Sequence, residues 1–405
     1  MKVLFLSRWF PYPPANGSQL RVYNLLRLLA ARHEVTLLSF ADPPLIDPRA
    51  AGIRDLCAEI GLVPWTPYRS ASPLTVVGLV RPLPRSIAAT FSHEMARQII
   101  ATRARCPYDV VIASQLTSAS YHRYLRGLPA LFEEIELGAF HDRLAAARSG
   151  WQLLRQRLTW AKLRRYLAHV LQDFRACTVV STGEQRLLSE NVARCPPIEV
   201  IPNCVTVSDY ALGTTAPQPD RLVFAGALSY AANADAVRWF LSEVYPRLKA
   251  HRPGVQLTIT GDGGGQRLAA TDGVLQTGQV ADVRPVVGSA WLSIAPILWG
   301  GGTRVKIIES MALGTPVVAT TKAAEGLEVV DGEHLLLADA APDFAQSIER
   351  LLFDPDLRRR LSANGRRLVE ERYSWQVVGP RFLRLVEEVA GETTRREPSR
   401  REELA

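Results

Sequence analysis

Apolar residues in this chain fall in short runs separated by longer amphipathic stretches, and the two kinds of segment alternate. VLFLS (3–7) reads as a buried strand, RWFPYPPANG (8–17) as a loop and SQLRVYNLLRLLAARH (18–33) as a helix with Ser18 at its N-cap. EVTLLSF (34–40) is the next strand, and DVVIAS (109–114), ALFEEI (130–135) and ACTVVS (176–181) repeat the pattern beside helical or loop segments. Such alternation predicts a parallel sheet covered by helices on both faces. ALGTTAPQPDR (211–221) is polar and proline-containing and reads as a linker, after which the alternation restarts. RLVFAG (221–226), a helix near 233–250, VQLTITG (255–261), VLQTG (274–278), WLSIAPI (291–297), PVVAT (316–320) and HLLLA (334–338) follow. The expected fold class is α/β, with two Rossmann-like, doubly wound parallel-sheet domains facing a central cleft. Residues 391–405 are charged and almost devoid of apolar side chains, the composition of a disordered tail.

Composition changes this picture little. The 405 residues leave room for two or three domains, and 47% hydrophobic with 22% charged is ordinary for a soluble protein. A net charge of +8 favours anionic partners: nucleic acid, an acidic membrane face or a phosphorylated small molecule. The basic residues do not form one patch interleaved with aromatics, so nucleic acid is not expected. Five scattered cysteines without a C-x-x-C fit a reducing compartment rather than a disulfide or zinc framework. The start lacks the pattern of a signal peptide and no apolar run approaches a membrane span, so the expected location is cytoplasmic, at most peripheral to the inner face of a membrane.

Candidate chemistry concentrates in GGGTRVKIIESMALGTPVVAT (300–320). Glycines lead into a helix whose first turn carries Arg304 and Lys306, although a helix N-terminus already presents positive charge. The cations make sense if an anion completes the site. Free N–H groups and close backbone approach at Gly301, Gly302 and Thr303, with a forked Arg304 and a point charge on Lys306, suit a diphosphate. The plainer alternative is a solvated helix start with a Lys306–Glu309 surface pair.

Several stretches resemble family 4 of the retaining GT-B glycosyltransferases. The first strand, Gly-containing loop and helix do so, as do VVSTGEQRLL…IEVIPNCV (179–205), GALSYAANADAVRWF, TITGDGGG and above all GGGTRVKIIESMALGTPVVATTKAAEGLEV. The likeness covers about residues 1–385. It implies an N-terminal acceptor-side domain over 1–208 and a nucleotide-sugar-binding domain over 209–372, with a helix over 373–390 packing back on the first. It also implies transfer of a sugar from a UDP- or GDP-sugar to a hydroxyl of a sugar, lipid-linked or other acceptor with retention, in polysaccharide, glycolipid or glycoconjugate synthesis. The nucleotide-sugar is a co-substrate; no cofactor and no metal are expected. Alternatives are a nucleotide-sugar 2-epimerase on the same fold and a non-catalytic nucleotide-sugar-binding subunit. The family's E-x7-E pair is incomplete: Glu309 is present and Gly301 stands at the first position. The cations often found after the first strand of the second domain are also absent, with Leu228 and Asn233 in that region.

By resemblance Glu309 accepts the ribose hydroxyls, and the backbone of Gly17 approaches the donor phosphate or the transferred sugar. Gly226, Gly261, Gln279 and Val280 match loops near the nucleotide. Tight turns are the alternative reading for these glycines, and a structural carboxylate for Glu309. FEEIELGAFHD (132–142) resembles the acceptor-side loop and offers Glu136 and His141 as catalytic candidates, against a simple surface loop. WQLLRQRLTWAKLRRYLAHVLQDF (151–174) is basic and amphipathic, with Leu154, Leu158, Leu167, Val170, Leu171 and Phe174 able to share a stripe. Contact with an anionic membrane is one reading; a long helix packed on its own sheet is the one expected.

Overall fold

A computed structural model describes all residues except 15, 43–51, 69–82, 146, 148, 214, 266–267, 269, 301–303 and 392–405. The chain divides into two compact units, Met1–Ile201 with the chain from Gly379 on, and Pro202–Val378. The division thus falls a few residues before the expected 208. The last helix, Trp375–Gly391, starts in the second unit and from Gly379 is counted with the first. The tail expected over 391–405 lies, beyond Gly391, outside the described residues.

The first unit holds seven strands: β1 (Lys2–Ser7), β2 (Glu34–Ala41), β3 (Glu59–Pro64), β4 (Val110–Ser114), β5 (Ala130–Ile135), β6 (Ala176–Val179) and β7 (Ile198–Val200). All pair in parallel in the order β3-β2-β1-β4-β5-β6-β7. The central strands are buried on both faces, every residue of β4 and of β5 being covered, with Glu133 and Glu134 the charged exceptions in β5. The edge strands β3 and β7 carry no clear apolar run, both being only partly buried and β7 just three residues long. In β3, Gly61 lies so close to β2 that a Cβ would come within 2.5 Å of Leu38. The first helix, Gly17–Ala30, is capped by Asn16, whose side chain accepts from the Gln19 N–H at 3.0 Å, and not by Ser18.

The second unit holds β8 (Gln218–Ala225), β9 (Gln256–Thr260), β10 (Val274–Gly278), β11 (Ala290–Ala295), β12 (Val317–Ala319) and β13 (Leu336–Leu337), parallel in the order β10-β9-β8-β11-β12-β13. The start of β8 reaches into the stretch read as linker, where the Gln218 N–H donates to Ser289 O at 2.8 Å. The helix expected near 233–250 is broken by a π-helical turn at Phe240–Val244, just before Pro246, which lacks the N–H a regular ladder needs. Each unit has its own apolar core, built around Phe132, Phe174 and Leu167 in the first and around Phe224, Phe240 and Phe344 in the second.

Candidate functional site

In the second unit the strand order reverses between β8 and β11, and ligands of open α/β sheets bind outside the carboxyl ends of the strands at such a point. Gly226 follows β8, and its N–H donates to Thr260 O at 2.8 Å. Gly261 follows β9 with φ +130°, so close that a Cβ would stand 2.6 Å from the Gly226 carbonyl. The loop after β11 leads to the helix Val305–Ala312, with Arg304 at its N-cap and Lys306 in its first turn. Gly301, Gly302 and Thr303 lie outside the described residues.

Lys306 reaches over the end of β8. Its Nζ donates to Asn233 Oδ1 at 2.9 Å and stands 4.0 Å above the Phe224 ring. A Cβ on Gly226 would come within 2.6 Å of that nitrogen, so the glycine is what makes room for the ammonium. A cation therefore does stand after the first strand of this domain, supplied by the helix after β11 and held by Asn233. Burial, and then the neighbouring Arg304 charge, pull the Lys306 ammonium down to about 7, with Glu309 acting against them. Arg304 donates to Gly300 O.

Glu309 sits on the same helix and accepts from Tyr210 Oη at 2.7 Å. Burial raises its carboxyl, while the Tyr210 bond and then Lys306 oppose that rise. Lys306 bonds Asn233 and Glu309 bonds Tyr210, so the two are not a solvated surface pair. Gln279, exposed, and Val280, half-buried, follow β10 at the same end of the sheet.

The first unit has its own reversal, between β1 and β4. Gly17, half-buried, opens the helix after β1, and Ser18 follows it. Gln115, directly after β4, and Glu134, near the end of β5, both have positive φ, 64° and 60°, which non-glycine residues seldom adopt. Glu134 occupies a break in the β5–β6 register, and such bulges re-aim side chains. The Gln115 amide donates to Glu134 Oε2 at 2.8 Å and to Ser18 Oγ at 3.3 Å, tying the loops of three strands together. Beneath them Arg21 Nε stands 2.6 Å from Glu133 Oε1 and 3.8 Å from Glu134 Oε1, and Ser114 Oγ donates to Glu133 at 2.6 Å. One guanidinium thus serves two adjacent buried carboxyls. Burial foremost, with Glu133 and Glu136 nearby, pushes Glu134 up to about 8 against the pull of Arg21.

Glu136 reaches that cluster through its charge, which helps to raise Glu134, and His141 stands further along the chain. Glu136 is exposed on the loop after β5, and His141 is exposed on the helix Gly138–Ala145, its ring centre 5.8 Å from that of Trp160 in an edge-to-face arrangement. The loop between them is held by Glu184, which accepts from the Leu137 and Gly138 N–H groups at 2.8 and 2.9 Å. The residues missed were Glu134, Gln115 and Tyr210. For Glu134 a signal existed: two carboxylates inside the apolar run ALFEEI demand a buried partner. Among the described residues no three His, Cys, Asp or Glu side chains are grouped to hold a metal ion, and no helix is long and apolar enough to cross a membrane.

Two family models match the chain: "Glycosyltransferase Family 4" over residues 15–209 and "Glycosyl transferases group 1" over 219–354. Phosphatidyl-myo-inositol mannosyltransferase of Mycobacterium tuberculosis is 32% identical over 208 residues, 47% of this chain and 54% of the relative. The chain therefore spans about half the length of that curated relative. Among solved structures, sucrose-phosphate synthase from Thermosynechococcus elongatus superposes with a TM-score of 0.69 at 20% identity, covering 97% of this chain and 100% of the other. Anabaena Alr3699/HepE in complex with UDP-glucose superposes with 0.66 at 16%, covering 96% and 100%. At these identities the likeness is one of fold, the GT-B architecture.

Proposed function

The chain belongs to the group 1, family 4 glycosyltransferases, and from that premise we propose that it transfers a hexose-like sugar from a UDP- or GDP-sugar to an acceptor hydroxyl with retention of configuration. The acceptor class that fits the family is a growing polysaccharide, a glycolipid or another glycoconjugate. The observation that carries the reading is the pair of cations at the β8/β11 reversal: Lys306 over the end of β8 and Arg304 at the start of the Val305–Ala312 helix. A helix start without a side-chain cap among the described residues, two cations and the close backbone of Gly226 and Gly261 suit a diphosphate. Glu309, held by Tyr210, is the ribose acceptor one turn further along.

Catalysis in this reading is electrostatic. The cations stabilise charge as the diphosphate leaves, and the departing phosphate takes the proton of the acceptor hydroxyl on the same face of the sugar. No protein nucleophile is then required.

Calorimetric titration tests the reading. Wild-type protein should bind a nucleoside diphosphate and its sugar far better than the bare nucleoside. Arg304→Ala should lose roughly 10- to 150-fold for the diphosphate, the worth of a charge-assisted contact, and nothing for the nucleoside. Melting should hold steady, since a cation opposed to the helix dipole has been removed. Normal diphosphate binding with a melting point several degrees lower would make the arginine structural. Tight donor binding without transfer to any acceptor would favour a binding subunit, and donor epimerisation without an acceptor a 2-epimerase.

A further inference from the structure

The helix Gly150–Val170 changes character along its length. Its second half buries Trp160, Leu163, Tyr166, Leu167 and Val170 in the first unit, as the packed-helix expectation has it. Its first two turns do not: Trp151 is 71% exposed, Leu154 58% and Leu158 41%. At about 100° per residue, the spacing of these three puts them in one stripe, on the side opposite the buried residues. Leu154 and Leu158 therefore do not share a face with Leu167 and Val170.

The polar residues of this face all carry one sign. The helix has five cations, Arg155, Arg157, Lys162, Arg164 and Arg165, and no Asp or Glu. Arg155 and Arg165 lie on the same side as the stripe and Arg157 at its margin, and all three are exposed. Arg164 turns away, its Nε donating to Asn191 O at 2.6 Å.

We propose that this face docks on a bilayer carrying anionic headgroups, with Trp151, Leu154 and Leu158 entering the interfacial layer and Arg155, Arg157 and Arg165 meeting lipid charge. An aromatic–aliphatic stripe flanked by arginines is the form of helix that lies in a membrane interface. A second copy of the chain fits worse. A two-fold contact would set this carboxylate-free face against itself, and three side chains cover far less than the roughly 1,000 Å² a stable interface buries. The proposal is independent of the reading of the nucleotide site.

Co-sedimentation of the whole chain with vesicles tests it. Phosphatidylcholine vesicles containing phosphatidylglycerol should bind roughly a hundredfold more tightly than phosphatidylcholine alone, since three arginines near an anionic surface each contribute several-fold. The preference should fade as salt rises. Replacing Trp151, Leu154 and Leu158 together by serine should abolish binding. Replacing Arg155, Arg157 and Arg165 by glutamine should remove the anionic preference. The substituted side chains are exposed, so melting and nucleoside diphosphate binding should be unchanged. If the triple serine variant does not fold, Trp151→Ser alone must still weaken binding. The proposal is overturned by equal binding to neutral vesicles, by no binding to anionic ones, or by binding that survives the serine substitutions. It is equally overturned by a concentration-dependent dimer in sedimentation velocity that those substitutions dissolve.

Discussion

Gly226 and Gly261 are both glycine for want of room, but against different neighbours. A methyl on Gly226 meets the side-chain ends of Lys306 and Asn233, which can give way; one on Gly261, already at φ +130°, meets the backbone of Gly226, which cannot. Gly226→Ala should therefore melt near wild type yet bind nucleoside diphosphate weakly, because the ammonium has been displaced. Gly261→Ala should lose about 1–3 kcal/mol of stability, read by urea denaturation. Equal stability of the two variants would refute this account of the turn. Glu134 gives a second residue-scale expectation. Its carboxyl is pushed up to about 8 in the fold, so the folded chain holds a proton there that the unfolded chain has released above the ordinary carboxylate value. Its contribution to stability is complete below about pH 4.5 and is lost as pH rises through 8. Glu134→Gln should remove that decline, so unfolding free energy measured across this window should fall less steeply than in wild type; an unchanged slope would contradict it. The sequence draws attention to Arg304 and Lys306 because two cations at a helix start are locally wrong unless an anion is near, and to Glu309 through the family resemblance. Gln115 left no mark in the sequence, since what singles it out is backbone at positive φ and contact with loops far along the chain, whereas Glu134 was marked only as one of two carboxylates in an apolar run.

At the scale of elements, strands buried on both faces announce themselves as largely apolar runs, and β1, β2, β4, β5 and β9 lie within a residue of the runs read for them. The edges β3 and β7 lack that signature, because only one flank of each is paired. The helix Val305–Ala312 was legible for its apolar face and not for its partner. Tyr210, 99 residues earlier, lies just ahead of the stretch read as linker and anchors Glu309 through one hydrogen bond. Tyr210→Phe leaves the Glu309 carboxyl buried without that donor, a cost of about 1–3 kcal/mol. It should therefore lower the melting temperature and weaken nucleoside and nucleoside diphosphate by the same factor, because ribose is common to both. Arg304→Ala should separate the two ligands, and Tyr210→Phe should not. A Tyr210→Phe protein with wild-type melting and binding would leave Glu309 without its supposed support. The basic helix Gly150–Val170 shows the limit of periodicity: its cations and leucines are plain in the sequence, but which turns are covered depends on what packs beside it.

The whole molecule carries +8, and in the second unit two of its cations stand at a strand-order reversal, the place proposed above for the diphosphate. That placement bears on how charge is handled when the donor bond breaks. A leaving nucleoside diphosphate needs positive charge nearby, and many enzymes supply it as Mg²⁺ held by carboxylates. Here the carboxylate carried by that helix, Glu309, is turned to Tyr210, and the positive charge offered is Arg304 and Lys306. An anion bound there would also favour the charged form of Lys306, whose folded value near 7 otherwise leaves it only partly protonated at neutral pH. Turnover of the nucleotide-sugar should accordingly survive excess EDTA with little change. Arg304→Ala with Lys306→Ala should abolish it, and added Mg²⁺ should not restore it, because among the described residues no three His, Cys, Asp or Glu side chains are grouped to hold the ion. The measurement is release of nucleoside diphosphate from the donor, with and without chelator, for wild type and the double variant. Loss of wild-type turnover in EDTA that Mg²⁺ or Mn²⁺ restores would mean that a metal, not this pair of side chains, carries the leaving-group charge.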